Sequence, residues 1–161
     1  MSKTIILIPT FNEIKSLIKI LPKILKQKYK IIIVNDASTD RTKKYLNLNK
    51  IECIHNKKRV GYEASLLKGM SYIIKNYRKN ENIITFDSDG EHKVSDLNRI
   101  LKFFIKDKIK FLICNRINIQ RISEKMVNFF FHQKFHLKDP LTGLKVYKTV
   151  LLKKYIKKVK E

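Results

Sequence analysis

Short apolar runs alternate along this chain with longer stretches in which apolar residues recur every three or four positions. Residues 4–8, 30–34, 51–55, 82–86 and 110–114 are runs of the first kind, with the length and β-branched content of buried strands. From Glu13 onward, Ile14, Leu17, Ile18, Leu21, Ile24 and Leu25 share one helical face, with Pro22 predicting a kink or a break. Asp40 predicts the cap of a short helix over residues 41–48, and residues 61–77 read as a longer helix. Ser95 predicts the cap of another helix reaching residue 105. An aromatic-rich helix from about Ile122 to Phe135 and a basic one from about Thr149 complete the pattern.

Strand and helix in this repeated order, with strands that are apolar throughout, predict an α/β fold with a mainly parallel sheet covered by helices on both faces. Ligands in such folds bind beyond the carboxyl ends of the strands. The polar clusters of this chain fall at that address. Pro9-Thr10-Phe11-Asn12-Glu13 follows the first strand, Asn35-Asp36 the second and Asp87-Ser88-Asp89 the fourth. One composite site is therefore expected.

The last cluster has the sharpest chemistry. After the apolar residues 84–86 come Asp87, Asp89 and Glu91 at alternating positions, and a strand sends every second side chain to the same side. If the extended geometry persists, three carboxylates converge, and an all-oxygen set suits Mg²⁺ or Mn²⁺. The plain alternative is a polar loop after a strand.

Composition adds a formal net charge of +22, from 36 Lys and Arg against 14 Asp and Glu. That excess reads either as an A/T-rich genome's codon usage or as a polyanionic partner: nucleic acid, an anionic membrane surface or a phosphorylated substrate. A nucleic-acid binder would leave the carboxylate triplet unexplained, so none is expected. No apolar stretch is long enough to span a bilayer, and the N-terminal residues show no secretory pattern. Cys53 and Cys114 sit in apolar runs, as buried thiols of a reducing cytoplasm would. At 161 residues the chain is long enough for a single domain with a proper core.

The three clusters, in this order and spacing, resemble those of the inverting family 2 glycosyltransferases of GT-A fold. Residues 9–13 are similar to that family's first motif, with Phe11 where Tyr is usual. Residues 34–42 are similar to the second, with Asn35 in place of a common first Asp, and residues 87–92 to the metal motif. Asp139-Pro-Leu-Thr-Gly143-Leu-Lys145-Val-Tyr147 resembles the acceptor-side motif of the polyprenyl-phosphate branch, that of the dolichol-phosphate mannose synthases. The resemblance implies a nucleotide-sugar donor, UDP- or GDP-linked, and a divalent cation held by Asp87, Asp89 and Glu91. It also implies a nucleobase contact at Asp36 and a nucleoside pocket lined by Pro9, Thr10 and Glu13.

On the acceptor side the resemblance implies that Arg116 holds a lipid phosphate, with Arg121 as a second basic residue. A phosphate acceptor is already ionised and needs no base, whereas a hydroxyl acceptor does. Asp139 is the remaining candidate for a base or an orienting group, its alternative being a turn residue before Pro140. Asn56 to Gly69 matches the family's glycine-rich loop loosely, and Lys57, Lys58 and Arg59 stand there either as phosphate contacts or as a solvated run. Met126, Phe129, Phe130, Phe131 and Phe135 predict either core or a face lying on a bilayer. The basic C-terminal helix reads either as a packing helix or as one resting on anionic lipid. His132 and His136, four apart, have no third ligand in view and predict no zinc site.

The expected whole is a single GT-A domain over residues 1–161, short at its C-terminal acceptor half. That half is minimal, missing, or supplied by a partner subunit or a second copy. The expected location is the cytoplasmic, inner face of a membrane, in peripheral contact. Transfer to a saccharide or protein hydroxyl, and a non-catalytic nucleotide-sugar-binding subunit, are the alternatives.

Overall fold

The computed structural model describes residues 4–77, 82–89, 92–116 and 122–159, with residues 122, 123 and 157–159 described by their backbone alone. Its centre is a six-stranded sheet built from β1 (Thr4–Thr10), β2 (Lys30–Asn35), β3 (Cys53–His55), β4 (Asn82–Thr85), β5 (Phe111–Ile113) and β6 (Lys145–Lys148). The order across the sheet is β3-β2-β1-β4-β6-β5. β1 pairs in parallel with β2 and β4, and β2 with β3. β6 is antiparallel to both of its neighbours, so β5 runs with the parallel set although it touches only β6.

Six helices accompany the strands among the described residues: α1 (Ile14–Lys26), α2 (Thr42–Leu48), α3 (Tyr62–Asn76), α4 (Leu97–Lys106), α5 (Ile122–Phe135) and α6 (Thr149–Val159). Alternation along the strands divides the core into two layers. Ile6, Ile8, Ile31 and Ile33 face α1, α2 and α4 through Leu17, Leu21, Ile24, Leu46, Leu101 and Phe104. Ile5, Leu7, Ile32, Val34 and Ile83 face α3 and α6 through Met70, Ile73 and Leu152. The result is a three-layer α/β/α arrangement with a mainly parallel sheet.

Several local expectations need correction. Pro22 does not break α1, which runs through it. Pro22 lies on the exposed side of the helix, where water can take the carbonyl that the missing N–H leaves unpaired. Ser95 is not a cap: α4 is entered through a 3₁₀ turn, Val94–Asp96, with Ser95 inside it. The aromatic helix α5 is not core, since Met126, Phe129, Phe130 and Phe135 are all more than half exposed.

Four helices end without glycine. Lys28, Lys50, Lys108 and His136, just beyond α1, α2, α4 and α5, all adopt positive φ between 52° and 61°. Backbone bonds such as Ile51 N–H to Leu46 O and Ile109 N–H to Phe104 O close the α2 and α4 ends, the pattern that usually recruits glycine.

Candidate functional site

The first and second motif loops are tied to each other. Thr39 N–H and Asp40 N–H donate to Asn12 Oδ1 at 2.8 and 3.3 Å, and Asn12 N–H donates to Ser38 Oγ at 2.9 Å. Asn12 and Ala37 reach these positions with φ of 57° each. Asp40 returns the tie: its carboxylate accepts from Thr42 N–H at 2.9 Å and from Ile14 N–H at 3.2 Å. One carboxylate thus satisfies orphan donors at the starts of both α2 and α1. Burial pushes the Asp40 carboxyl up, but these bonds outweigh it and hold the group below its ordinary range.

Asp36 is 4% exposed and shapes the next loop. Its Oδ1 accepts from Asn56 Nδ2 at 2.8 Å and Val60 N–H at 2.9 Å, and its Oδ2 from Gly61 N–H at 2.8 Å. Burial raises its pKa, yet the bonds from Asn56, Val60, Gly61 and Ser65 prevail and lower it. Gly61, at the start of α3, has a φ of 92° that a side chain would resist. An ionised carboxylate has about four acceptor positions, and Asn56, Val60, Gly61 and Ser65 all bond to this one. Over the same mouth, the Arg59 guanidinium carbon lies 4.2 Å from the centre of the Phe11 ring, a cation–π stack.

Beyond β4 the extended geometry stops: the strand ends at Thr85 and the chain turns at Ser88 and Asp89. Asp87 is half-buried, held by the Tyr62 hydroxyl, which donates to its Oδ1 at 2.7 Å. Burial first, and then the charge of Asp87, pushes the Tyr62 phenol far above its ordinary pKa. The Asp87 carboxylate lies directly on Gly143, where any Cβ would overlap it. Lys145 is half-buried close by; burial lowers its pKa, and Asp87, Asp139 and Glu63 pull the other way without cancelling it. Asp89 is exposed. Glu91 lies outside the described residues, among which no group of three or more His, Cys, Asp or Glu is arranged to hold a metal ion. Asp87 and Asp89 still offer an all-oxygen pair on one wall, which fits a hard divalent cation that completes its shell with water and phosphate oxygens.

The acceptor-side residues meet around one guanidinium. Asp139, 1% exposed, accepts from Arg116 Nε at 2.9 Å, from Nη2 at 3.0 Å and from the Arg116 backbone N–H at 3.0 Å. Burial raises the Asp139 carboxyl, and the Arg116 bonds overcome it and hold it low. Three bonds from Arg116 thus lock the Asp139 carboxylate and the guanidinium together. Glu124, at the start of α5, places Oε2 at 2.9 Å from the same Nη2. Arg121 lies outside the described residues. The rings of His132 and His136 stand 6.4 Å apart, edge to face.

These pieces enclose a cleft of about 360 Å³ at the carboxyl ends of β1, β2 and β4. Its wall carries Pro9, Thr10, Glu13, Asp36, Asp87, Asp89 and Arg116, while Asp139 stands behind Arg116. Sequence reasoning overlooked Tyr62, Ser65, Ser88, Glu124 and Leu141, which line it too. Tyr62 carried a usable signal, its place directly after the loop glycine. Glu124 carried none, because only the placement of α5 brings it there.

Comparison with known proteins agrees with this architecture. The glycosyl transferase family 2 model matches residues 5–155. An uncharacterized protein of Methanocaldococcus jannaschii is 33% identical over 61% of this chain and 45% of its own length. The UDP-N-acetylglucosamine–dolichyl-phosphate N-acetylglucosaminyltransferase of Methanococcus voltae is 24% identical over 92% of this chain and 70% of its own. Among solved structures, glucosyl-3-phosphoglycerate synthase of Mycobacterium tuberculosis with Mn²⁺, UDP and glucosyl-3-phosphoglycerate superposes with a TM-score of 0.73 at 13% identity, over 92% of this chain and 57% of that one. TarS of S. aureus gives 0.67 at 18% identity, over 96% and 49%. The chain thus spans about half the length of several proteins it matches, and at these identities the structural likeness speaks for the GT-A fold alone. With the family model running through nearly every element that builds the cleft, the chain belongs to glycosyl transferase family 2.

Proposed function

We propose that this chain is an inverting, metal-dependent glycosyltransferase that moves a sugar from a UDP- or GDP-linked donor to a polyprenyl phosphate at the cytoplasmic face of a membrane. One observation carries the reading: Asp36, Asp87, Asp89 and Arg116 line a single cleft. In this reading Asp36 meets the nucleobase, while Pro9, Thr10 and Glu13 flank the nucleoside. Asp87, Asp89 and Glu91 would hold Mg²⁺ or Mn²⁺, which would supply Lewis-acid charge neutralisation for a diphosphate leaving group. Tyr62 and Gly143 fix where the Asp87 carboxylate sits, and Asp139 fixes the Arg116 fork that orients the acceptor phosphate.

Support for the donor comes from the UDP and Mn²⁺ named with the structural relatives, and for the acceptor from the dolichyl phosphate named with the archaeal one. Peripheral membrane contact is supported by the exposed Met126, Phe129 and Phe130 of α5, with Lys125 and Lys134 on the same helix. No helix among the described residues is long and apolar enough to cross a bilayer. In this reading the chain forms one GT-A domain.

A second reading, transfer to a hydroxyl, is favoured by the Glu124 carboxylate on the cleft wall, where a base would be needed. The test is a transfer assay with UDP- and GDP-sugars and Mn²⁺, offering dolichyl phosphate and a simple glycoside as acceptors. Product on the phosphate alone is expected. Product on the glycoside alone, or no nucleotide binding under any metal condition, would overturn the proposal.

A further inference from the structure

Two carboxylates share the Arg116 guanidinium, and they are not equivalent. Asp139 is 1% exposed and grips the Nε–Nη2 edge and the backbone amide of the same residue. Glu124 reaches Nη2 from α5, with its side chain 18% exposed on the cleft wall.

The same helix face carries a mismatch. Asn128 lies four residues after Glu124 and therefore on the same side of α5. It is 7% exposed, and neither its Oδ1 nor its Nδ2 has a hydrogen-bond partner among the described residues. Buried amide atoms left in this state are costly. On the outer side of the helix, Met126, Phe129 and Phe130 are exposed at 70%, 67% and 56%. α5 thus turns Glu124 and Asn128 to the protein and Met126, Phe129 and Phe130 to the surroundings, and the Glu124–Arg116 pair ties its first turn to the cleft.

Resting on the polyprenyl-phosphate reading above, we infer that Glu124 occupies the place of the acceptor's phosphate on Arg116, and that the acceptor binds by displacing it. A phosphate monoester presents oxygens to the guanidinium fork much as a carboxylate does and carries more charge, so it outcompetes Glu124. A neutral hydroxyl does not. Glu124 therefore sets acceptor specificity, and Asp139 keeps the fork oriented when the exchange takes place. Release of Glu124 also lets the inner face of α5, with Asn128, meet ligand or water.

The test is calorimetric titration of inorganic phosphate and of farnesyl phosphate into the wild-type protein and Glu124→Gln, with Asp107→Asn as a control. Asp107 is exposed beyond the far end of α4, so its substitution makes the same charge change away from the cleft. Glu124→Gln is expected to bind both probes about tenfold more tightly and to lower the acceptor KM with kcat little changed, while Asp107→Asn matches the wild type. Glu124→Ala carries the same test if the glutamine variant folds poorly. Equal phosphate affinity in wild type and variant would overturn the inference, even if transfer to dolichyl phosphate is seen. Collapse of kcat in Glu124→Gln without any gain in phosphate affinity would also overturn it and mark Glu124 as the base for a hydroxyl. Tighter phosphate binding by the variant, with no transfer to dolichyl phosphate from either protein, would uphold the exchange while sinking the wider reading.

Discussion

On the function proposed above, the donor end of the cleft and its acceptor end are built to different standards. At the donor end the motif loops are bound to one another and to the sheet: Asn12 holds the second loop, Asp40 serves two helices and Asp36 accepts from three groups of the loop before α3. At the acceptor end one ion-pair cluster joins Arg116 to α5, whose inner face holds an amide unpartnered among the described residues and whose outer face is aromatic. A site that must grip a nucleotide gains from a cavity fixed in advance, because ordering is then complete before binding. A site that must admit a long amphipathic acceptor gains from an edge that can yield.

The comparison can be broken by substitution. Asp89→Ala should reduce turnover at saturating Mn²⁺ by about 10³-fold or more, with the melting temperature unchanged because the side chain is exposed. Asp36→Ala should cost about 3 kcal/mol in chemical denaturation, since Asn56 Nδ2 and two backbone N–H groups lose their acceptor together. Acid should act through the same groups. The folded-state pKa values of Asp36, Asp40 and Asp139 are all lowered, so their stabilisation is complete above the ordinary carboxylate value of about 4 and is lost as pH falls through the lowered values. Melting temperature should therefore hold from pH 7 to 5 and drop below about pH 4, less steeply in Asp36→Asn. Lys50→Gly should stabilise by about 1 kcal/mol, because a non-glycine residue there has a φ of 53°. Phe130→Ser, on the exposed side of α5, should change stability by less than about 0.5 kcal/mol. A large loss there, measured by urea unfolding, would show α5 to be as firmly built as the donor loops.

Five strands and all the helices were legible because burial on both faces demands continuous apolar runs and the helical faces are periodic. β6 was not: Lys145-Val-Tyr-Lys148 has lysine at both ends and alternates, and its partners are set by the rest of the sheet. The left-handed helix ends were hidden for a related reason, since lysine and histidine fill positions that glycine would have announced. In the site, Pro9, Thr10, Glu13, Asp36, Asp87 and Asp89 could be gathered in advance because parallel strands deliver their loops to one edge. The Arg116–Asp139 bond joins residues 23 apart across β5 and β6, and no local pattern encodes it. The aromatic run of α5 was ambiguous for a physical reason: core and interface both select large apolar rings.

The late strand β6 has a consequence for the order in which the molecule is completed. Among the described residues β5 pairs with no strand but β6, and β6 follows every other strand in chain order. By the time residue 106 has emerged, β1 to β4 and four helices can close around the nucleotide-facing loops. Residues 111–113 have no strand to pair with until residues 145–148 thread between β4 and β5. During synthesis the edge of β4 therefore stays open, a template for unwanted strand pairing. A pause in translation just before residue 145 would leave a nascent chain with its donor half assembled and its acceptor half unseated.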